Sequence, residues 1–465
     1  MNREQIQSRA LQIAKEYNYN GVICLDPGSG KSKVAIDCIK QGNFKNILIT
    51  SPRTNLKENW RLELEKWEIK LGLPFNFEED EFTGTNSDAY FGNNFEYIVL
   101  ENIQTSYKWS KQHIENFDFI IYDEIHTCGQ EYFKLIEISK KLNIPVLGLT
   151  GTPTKSDPWK KEVLYKALPI IYEYYNAEED GITNSIKYWV YEYNLDDKFK
   201  VKAGPKNKNW LAGELTQYNY LSEQYEKAKA KMAELGATNY FDTSLLWMKG
   251  NQEIIGPDPF DVSTSNIKEI PIKTWIAEAT KEQREAGRKF FFAVRNRKDF
   301  LWNLTSSKFI ALEIKNRILA KKYYDEELYC SQNKVLLFSE LTSQAEKLSP
   351  YSIHSNNGKN AKEAETINKN LLEKFNSGEL RELSSCLSLT LGLNMTGANW
   401  AIVESFSSSN TNFIQKCKRL ARLSKDEVAN VIVIVPKGTQ AVTWRDEMMK
   451  DIEYTTITNL NELRI

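Results

Sequence analysis

Two short clusters in this chain hold residue types that phosphate chemistry needs in close order. In ICLDPGSGKSKVAID, Ile23 to Asp37, an apolar run stops at Gly28-Ser29-Gly30-Lys31-Ser32 and a helix-compatible segment follows. In such a strand–loop–helix setting, backbone N–H groups of Gly28 to Ser32 point into the loop and cradle phosphates, helped by the positive end of the following helix. Glycines serve because a Cβ would block close approach and because positive φ is required. Pro27 and Ser29 complete the cradle, Lys31 would reach the β- and γ-phosphates, and the Ser32 hydroxyl would ligate Mg²⁺. The first position of the usual pattern, Gly or Ala, is Leu25 here. About ninety residues later FIIYDEIHT sets Asp123 and Glu124 at the end of an apolar run. Asp123 suits the Mg²⁺ shell, and Glu124 suits positioning and deprotonating an attacking water. Alone, the first cluster could be a plain turn and the second two acids solvating a strand end; together they describe a Mg²⁺–nucleoside triphosphate site. His126 either couples this site to neighbouring segments or packs.

The elements that must position these residues read as α/β. Residues 1–194 alternate strands with helical stretches, the pattern of a parallel sheet. Expected strands are Gly21–Leu25, Asn46–Thr50, Tyr97–Leu100, Phe117–Tyr122, Pro145–Leu149 and Tyr188–Tyr193, and most are short apolar runs suited to burial on both faces. In LKENWRLELEKW, Leu56, Trp60, Leu64 and Trp67 recur at helical spacing and are expected to face the core rather than a ligand. The rhythm is lost from about 196 to 305, where Tyr218–Leu235 is a long helical candidate and 250–271 is irregular. From Lys281 to Lys322, twelve Lys/Arg stand against four acids with Phe290–Phe292, Phe300 and Trp302 interleaved. That stretch is either a phosphate-backbone surface, with Arg295, Arg297 and Lys298 at its centre, or a solvated helix face over a buried aromatic stripe. From about Asn333 the α/β pattern returns: KVLLFSE, SCLSLTL, NWAIVES and NVIVIVP read as strands and Ala361–Phe375 as a helix. The fold class expected is α/β, two parallel-sheet domains (1–195 and 306–465) with a mainly helical insert (196–305) between them.

These motifs occur in an order that resembles superfamily 2 helicases and translocases. DEIH resembles the DEAD/DEAH box, LITSPRTNLKENW motif Ia, LENIQTS motif Ib, and LTGTPT (Leu149–Thr154) motif III. KVLLFSE resembles motif IV, and IHS, with His354, the short segment after it. LEKFNSGELRELSSCLSLTLGLNMTGAN resembles motif V with its lead-in, and NFIQKCKRLARL motif VI, with Gln415, Arg419 and Arg422 at the functional positions and Lys418 where the family often has Gly or Asp. The resemblance covers roughly 1–170 and 333–435 and implies that the two parallel-sheet domains are RecA-like lobes. It implies that Lys31, Asp123, Glu124, Gln415, Arg419 and Arg422 serve ATP hydrolysis, the arginines reaching the γ-phosphate from a second domain as fingers. It also implies that Gln7, or Gln5, reads the adenine, and that Ser51, Arg53, Gln104, Thr105, Thr150, Thr152, Thr390 and Asn394 contact nucleic acid or link it to the nucleotide site. Each of those short polar residues could instead be a cap or turn residue. GLNMTGAN and the insert look Snf2-like, whereas LDPGSGKS looks closer to phage recombination helicases and restriction-type motors.

Composition narrows the partners. At 465 residues two or three domains are expected. With 61 Lys+Arg against 62 Asp+Glu, any nucleic-acid site must be a local patch. The cysteines (24, 38, 128, 330, 386, 417) form no CxxC and no Cys/His grouping, which argues against a zinc or disulfide framework and for a reducing cytosol. Residues 1–20 lack the apolar core of a signal peptide and no run is long enough to span a membrane, so a soluble, cytoplasmic protein is expected. Heavy use of Asn, Lys, Ile and Tyr points to an AT-rich genome such as a phage's, and hence to a host cytoplasm. The reading is a monomeric, ATP- and Mg²⁺-dependent DNA motor, with replication, recombination or repair proteins as candidate partners. RNA as the track, and an ATP-switched clamp that does not unwind, are the alternatives; a P-loop kinase or transport ATPase would leave the second α/β unit and its paired arginines unexplained.

Overall fold

The computed structural model describes residues 1–52, 55–69, 71–76, 88–92, 95–151, 157, 159–203, 210–249, 255–257, 269–271, 279–320, 333–386, 397–408, 413, 417, 420 and 427–463. Two sheets organise them. The first has eight strands: β1 (Gly21–Leu25), β2 (Asn46–Ser51), β3 (Leu71–Asn76), β4 (Asp88–Gly92), β5 (Tyr97–Asn102), β6 (Phe119–Tyr122), β7 (Val146–Thr150) and β8 (Ile170–Tyr174), in the order β3-β4-β5-β2-β6-β7-β1-β8. All pairings are parallel except β3–β4 and β4–β5. Consecutive side chains of β1 enter opposite cores: Ile23 and Leu25 pack with α1 (Arg3–Glu16), α2 (Lys31–Gly42) and α3 (Asn55–Lys66). Val22 and Cys24 pack with the helices of the other face, including the one at Phe133–Lys141. Burial on both faces is why these strands read as unbroken apolar runs. In α3, Trp60 and Leu64 are buried and Trp67 half-buried, as their spacing requires; the Leu56 side chain lies outside the described residues.

The strand expected at Tyr188–Tyr193 forms as β9 (Ser185–Asn194), but it is not part of the first sheet. It lies in the second, between β18 (Val428–Lys437) and β19 (Thr455–Ile457), and pairs with β18 over its whole length from Ser185↔Val428 to Asn194↔Lys437. The chain crosses from one sheet to the other after β8. An apolar strand carries no mark of which sheet it joins, so its neighbours in sequence misled the expectation. The second sheet also holds β14 (Val335–Ser339), β15 (Ser352–Ile353), β16 (Glu382–Cys386) and β17 (Trp400–Val403), in the order β15-β16-β14-β17-β18-β9-β19. All its pairings are parallel. The strand read in SCLSLTL is β16, which begins three residues earlier; its later part lies outside the described residues.

Between the β9 strand and β14, a hairpin of β10 (Lys200–Ala203) and β11 (Trp210–Gly213) leads into three packed helices, α4 (Glu214–Glu234), α5 (Tyr240–Lys249) and α6 (Lys281–Leu301). Met232, Ala286 and Phe290 form their small core. A fourth helix, α7 (Thr305–Ala320), turns back and lays Ala311, Ile314 and Ile318 on the second sheet. The insert is therefore helical where described, apart from that hairpin and a second one of β12 (Ile255–Pro257) and β13 (Glu269–Pro271), and its base is continuous with the second lobe. No helix among the described residues is long and apolar enough to cross a membrane.

Candidate active site

The phosphate loop sits between β1 and α2. Gly28 and Gly30 both have positive φ, +88° and +94°, so the loop is closed in a conformation that a side chain would strain. The ceiling over Gly30 is Gln7 of α1, whose Nε2 donates to the Ser29 carbonyl at 2.9 Å. A Cβ on Gly30 would fall 2.1 Å from that same nitrogen. Gln7, not Gln5, thus touches the loop; Gln5 is spent on the capping box of α1 with Asn2. Lys31 opens α2, and its Nζ lies 3.4 Å from the Leu25 carbonyl, a long bond that leaves the ammonium available. Gly151, which follows β7, passes so close that a Cβ there would meet Lys31 Nζ at 3.1 Å. Ser29 is buried and its Oγ has no hydrogen-bond partner, an orphaned donor facing a loop built for anions.

Asp123 and Glu124 follow β6 at the same edge of the sheet. Asp123 is held from two sides: Trp60 Nε1 donates to Oδ2 at 2.9 Å, and the Glu124 N–H donates to Oδ1 at 2.9 Å. Burial, then the adjacent Glu124 charge, push its carboxyl up to about 7, while Trp60, Lys31 and the Glu124 N–H act the other way. Glu124 itself has φ +50°, unusual for a residue with a Cβ, which turns the chain sharply out of the strand into the short turn Ile125–Thr127. His126 Nδ1 lies 3.0 Å from Thr150 Oγ1 and 3.3 Å from Glu124 Oε2. Lys160 Nζ donates to the His126 carbonyl. His126, itself buried, thus bridges Glu124 to the end of β7.

These residues fit a Mg²⁺–nucleoside triphosphate. Mg²⁺ keeps most of its water and needs only one or two protein oxygens beside the phosphates, which Ser32, in the first turn of α2, and Asp123 can supply.

The sequence reasoning missed Trp60 as a site residue, because its place in the helical apolar period already accounted for it. The indole N–H that a buried Trp must satisfy was the available signal. Of the residues expected at a nucleic-acid track, Gln104 is exposed and Thr105 half-exposed on the short helix Ile103–Ser106, which Asn102 caps at 2.9 Å. Ser106 Oγ, 2.9 Å from Thr50 Oγ1, ties that helix to the end of β2. Three others are withdrawn from the surface. Ser51 is buried at the end of β2, and Thr150 is fully buried against His126. Arg297, 8% exposed, lies with its guanidinium carbon 3.7 Å from the centre of the Tyr225 ring. That arginine packs the insert instead of facing solvent, because every third or fourth residue of α6 turns inward. Arg295 stays exposed and pairs with Asp299 at 3.5 Å, and Lys298 lies over Trp302. Arg53, Thr152, Thr390, Asn394, Gln415, Arg419 and Arg422 lie outside the described residues; Phe413, Cys417 and Leu420, from the arginine segment, are buried in the core of the second lobe.

Residues 1–155 match the family described as type III restriction enzyme, res subunit, and residues 317–424 match the helicase conserved C-terminal domain. The chain belongs to the superfamily 2 helicases. As such it is an ATP hydrolase of the nucleic-acid-dependent kind. Over 422 residues it is 24% identical to the DNA 3'-5' translocase XPB2 of Sulfurisphaera tokodaii, covering 90% of this chain and 78% of that one. The structure of S. cerevisiae Dbp5 bound to RNA and ADP BeF3 aligns with a TM-score of 0.51 at 10% identity, over 97% of this helicase and 89% of that chain. At that identity the likeness concerns the fold, and it supports reading the two mainly parallel sheets as RecA-like lobes.

Proposed function

We propose that this helicase is a DNA motor: Mg²⁺-ATP hydrolysis, at a site framed by the first lobe and completed by the second, drives its movement along DNA. The observation that carries the proposal is the convergence of Gly28–Ser32, Asp123–Glu124 and His126–Thr150 at one edge of the first sheet. Lys31 and the loop N–H groups bind the phosphates. Glu124 orients a water and accepts its proton, and His126 carries the state of that carboxylate to Thr150 and the segment after it. When bound, Mg²⁺ supplies charge neutralisation at the transferred phosphoryl, held by Ser32 and Asp123. Gln415, Arg419 and Arg422 complete the site from the second lobe, so that loss of the γ-phosphate loosens the closed form.

The proposed division is lobe 1 over 1–195, the insert over 196–305 and lobe 2 over 306–465, with β9 handed across to the second sheet. The polymer crosses Arg53, Gln104, Thr105, Thr152, Thr390 and Asn394, and on the insert meets Arg288, Phe292 and Arg295. Those three follow one exposed stripe of α6, where Phe292 is 46% exposed. DNA is favoured because the relative matched over most of this chain is a DNA translocase by name. The res-subunit match favours the restriction- and recombination-type branch over the Snf2 type. The deciding experiment is steady-state ATP hydrolysis without polymer and with single-stranded DNA, duplex DNA or RNA, with Lys31→Ala as the blank. Stimulation by DNA is expected; stimulation by RNA alone would make RNA the track, and none by any polymer would leave an ATP-switched clamp.

A further inference from the structure

The base of the insert is bonded to the stretch of chain that leads into the arginine segment. Trp302 closes α6, and its indole N–H donates to the Phe406 carbonyl at 2.9 Å. Ser307, in the first turn of α7, donates its hydroxyl to Glu404 Oε1. Between them Ser405 Oγ accepts the Glu340 N–H at 2.9 Å, which ties the same three residues to the end of β14. Residues 404–406 directly follow β17. Phe406 shares one core with Phe413, Cys417 and Leu420; the sequence interleaves Gln415 and Arg419 with those side chains and sets Arg422 two positions after Leu420.

The corner that makes these bonds is itself braced. Glu214 Oε1, at the start of α4, accepts the Thr305 and Ser306 N–H groups at 2.6 and 3.3 Å and so caps α7. Tyr193 of β9 bonds Ser306 Oγ at 2.9 Å, and Gln344 Nε2 reaches Asn303 Oδ1 at 3.3 Å. From this corner α6 extends as a rod of roughly 30 Å, with Arg288, Phe292 and Arg295 along its exposed side. A rod braced at one end passes a tilt to the atoms bonded there, and it does so from both sides of the turn, through α6 at Phe406 and through α7 at Glu404.

We infer that Trp302 and Ser307 are positioning residues that couple nucleic acid on the insert to the arginine-bearing segment of the second lobe, acting through Phe406 and Glu404. This rests on the reading of the protein as a nucleic-acid motor. Coupling of two binding equilibria is reciprocal, so polymer tightens nucleotide by the same factor by which nucleotide tightens polymer. A residue that only supports the fold would lower both affinities without touching that factor.

The test is a four-state binding cycle with a non-hydrolysable ATP analogue and a DNA oligonucleotide, each titrated with and without the other, on the unmodified protein, Trp302→Phe and Ser307→Ala. The unmodified protein is expected to show a coupling factor in the range of about 5- to 150-fold. In each variant that factor should collapse to within about threefold of unity, while each ligand's affinity alone and the unstimulated ATPase rate stay within about twofold. An unchanged factor in both variants overturns the joint, as does a loss of affinity for either ligand alone. A factor of one already in the unmodified protein sinks the motor reading, and the joint with it. Trp302→Phe keeps the ring and removes the donor, whereas Ser307→Ala reaches the same stretch from the other helix, so poor folding of one leaves the other decisive.

Discussion

Trp60→Phe isolates one hydrogen bond at the metal-binding carboxylate while keeping most of the buried ring. Asp123 already holds its proton up to about 7, through burial and then the Glu124 charge, and the Trp60 N–H is among the groups that favour the ionised form. A hydrogen bond to a charged group contributes roughly 1.5–3 kcal/mol. Its loss should raise the Asp123 carboxyl by about one to two pH units more. At pH 7, where the parent carboxyl is already about half protonated, a cation must then displace a firmly held proton, so the Mg²⁺ concentration for half-maximal response should rise by about five- to fiftyfold. Well above pH 9 the free carboxylate is ionised in both proteins and loses the same donor with or without metal, so the difference should shrink to a few-fold. The assay is the Mg²⁺ dependence of ATP hydrolysis, paired with the Mg²⁺ dependence of ADP binding, which needs no turnover. An unchanged Mg²⁺ requirement, or an equal penalty at both pH values, would refute the reasoning.

Glu124→Gln should bind nucleotide normally yet hydrolyse it about a hundred- to ten-thousandfold more slowly, the usual contribution of a general base; single-turnover hydrolysis beside equilibrium nucleotide binding separates the two. Glu404 is buried, which pushes its carboxyl up to about 7, against the helping effects of Ser307, Ser405, Lys308 and Lys347. The folded protein therefore keeps a proton there that the unfolded chain has lost, and stability falls as pH rises from about 4.5 through 7. Glu404→Gln should be more stable than the parent at pH 8, by at most about 3 kcal/mol, and level with it near pH 5; melting curves at the two pH values check this, and an equal offset at both would contradict it. Arg288→Glu with Arg295→Glu should weaken DNA binding and flatten its dependence on salt by about one to two in the log–log slope. Arg297, stacked on Tyr225, is left alone because its loss would unpack the insert.

Periodicity and motif order were enough to read the fold class and the helicase family from sequence. A phosphate-type loop and a strand ending in two acids are written locally, in residue type and spacing. The six strands expected in the first half all form, because a run of apolar residues buried on both faces looks the same in any parallel sheet. Assignment of those strands to a sheet was not legible: β9 reads like its predecessors, and only its ladder with β18 shows which sheet it completes. Which polar groups meet was equally hidden. Trp60 lies 63 residues from Asp123, and Trp302 lies 104 residues from Phe406. Arg295 and Arg297 carry the same charge two positions apart, yet the turn of the helix leaves one in water and lays the other on an aromatic ring. The sequence by itself determined what each segment is and what chemistry it can perform, since propensity and charge are local. Only the tertiary structure decided which segments touch, because that depends on chain crossovers and helix rotation that no short stretch encodes.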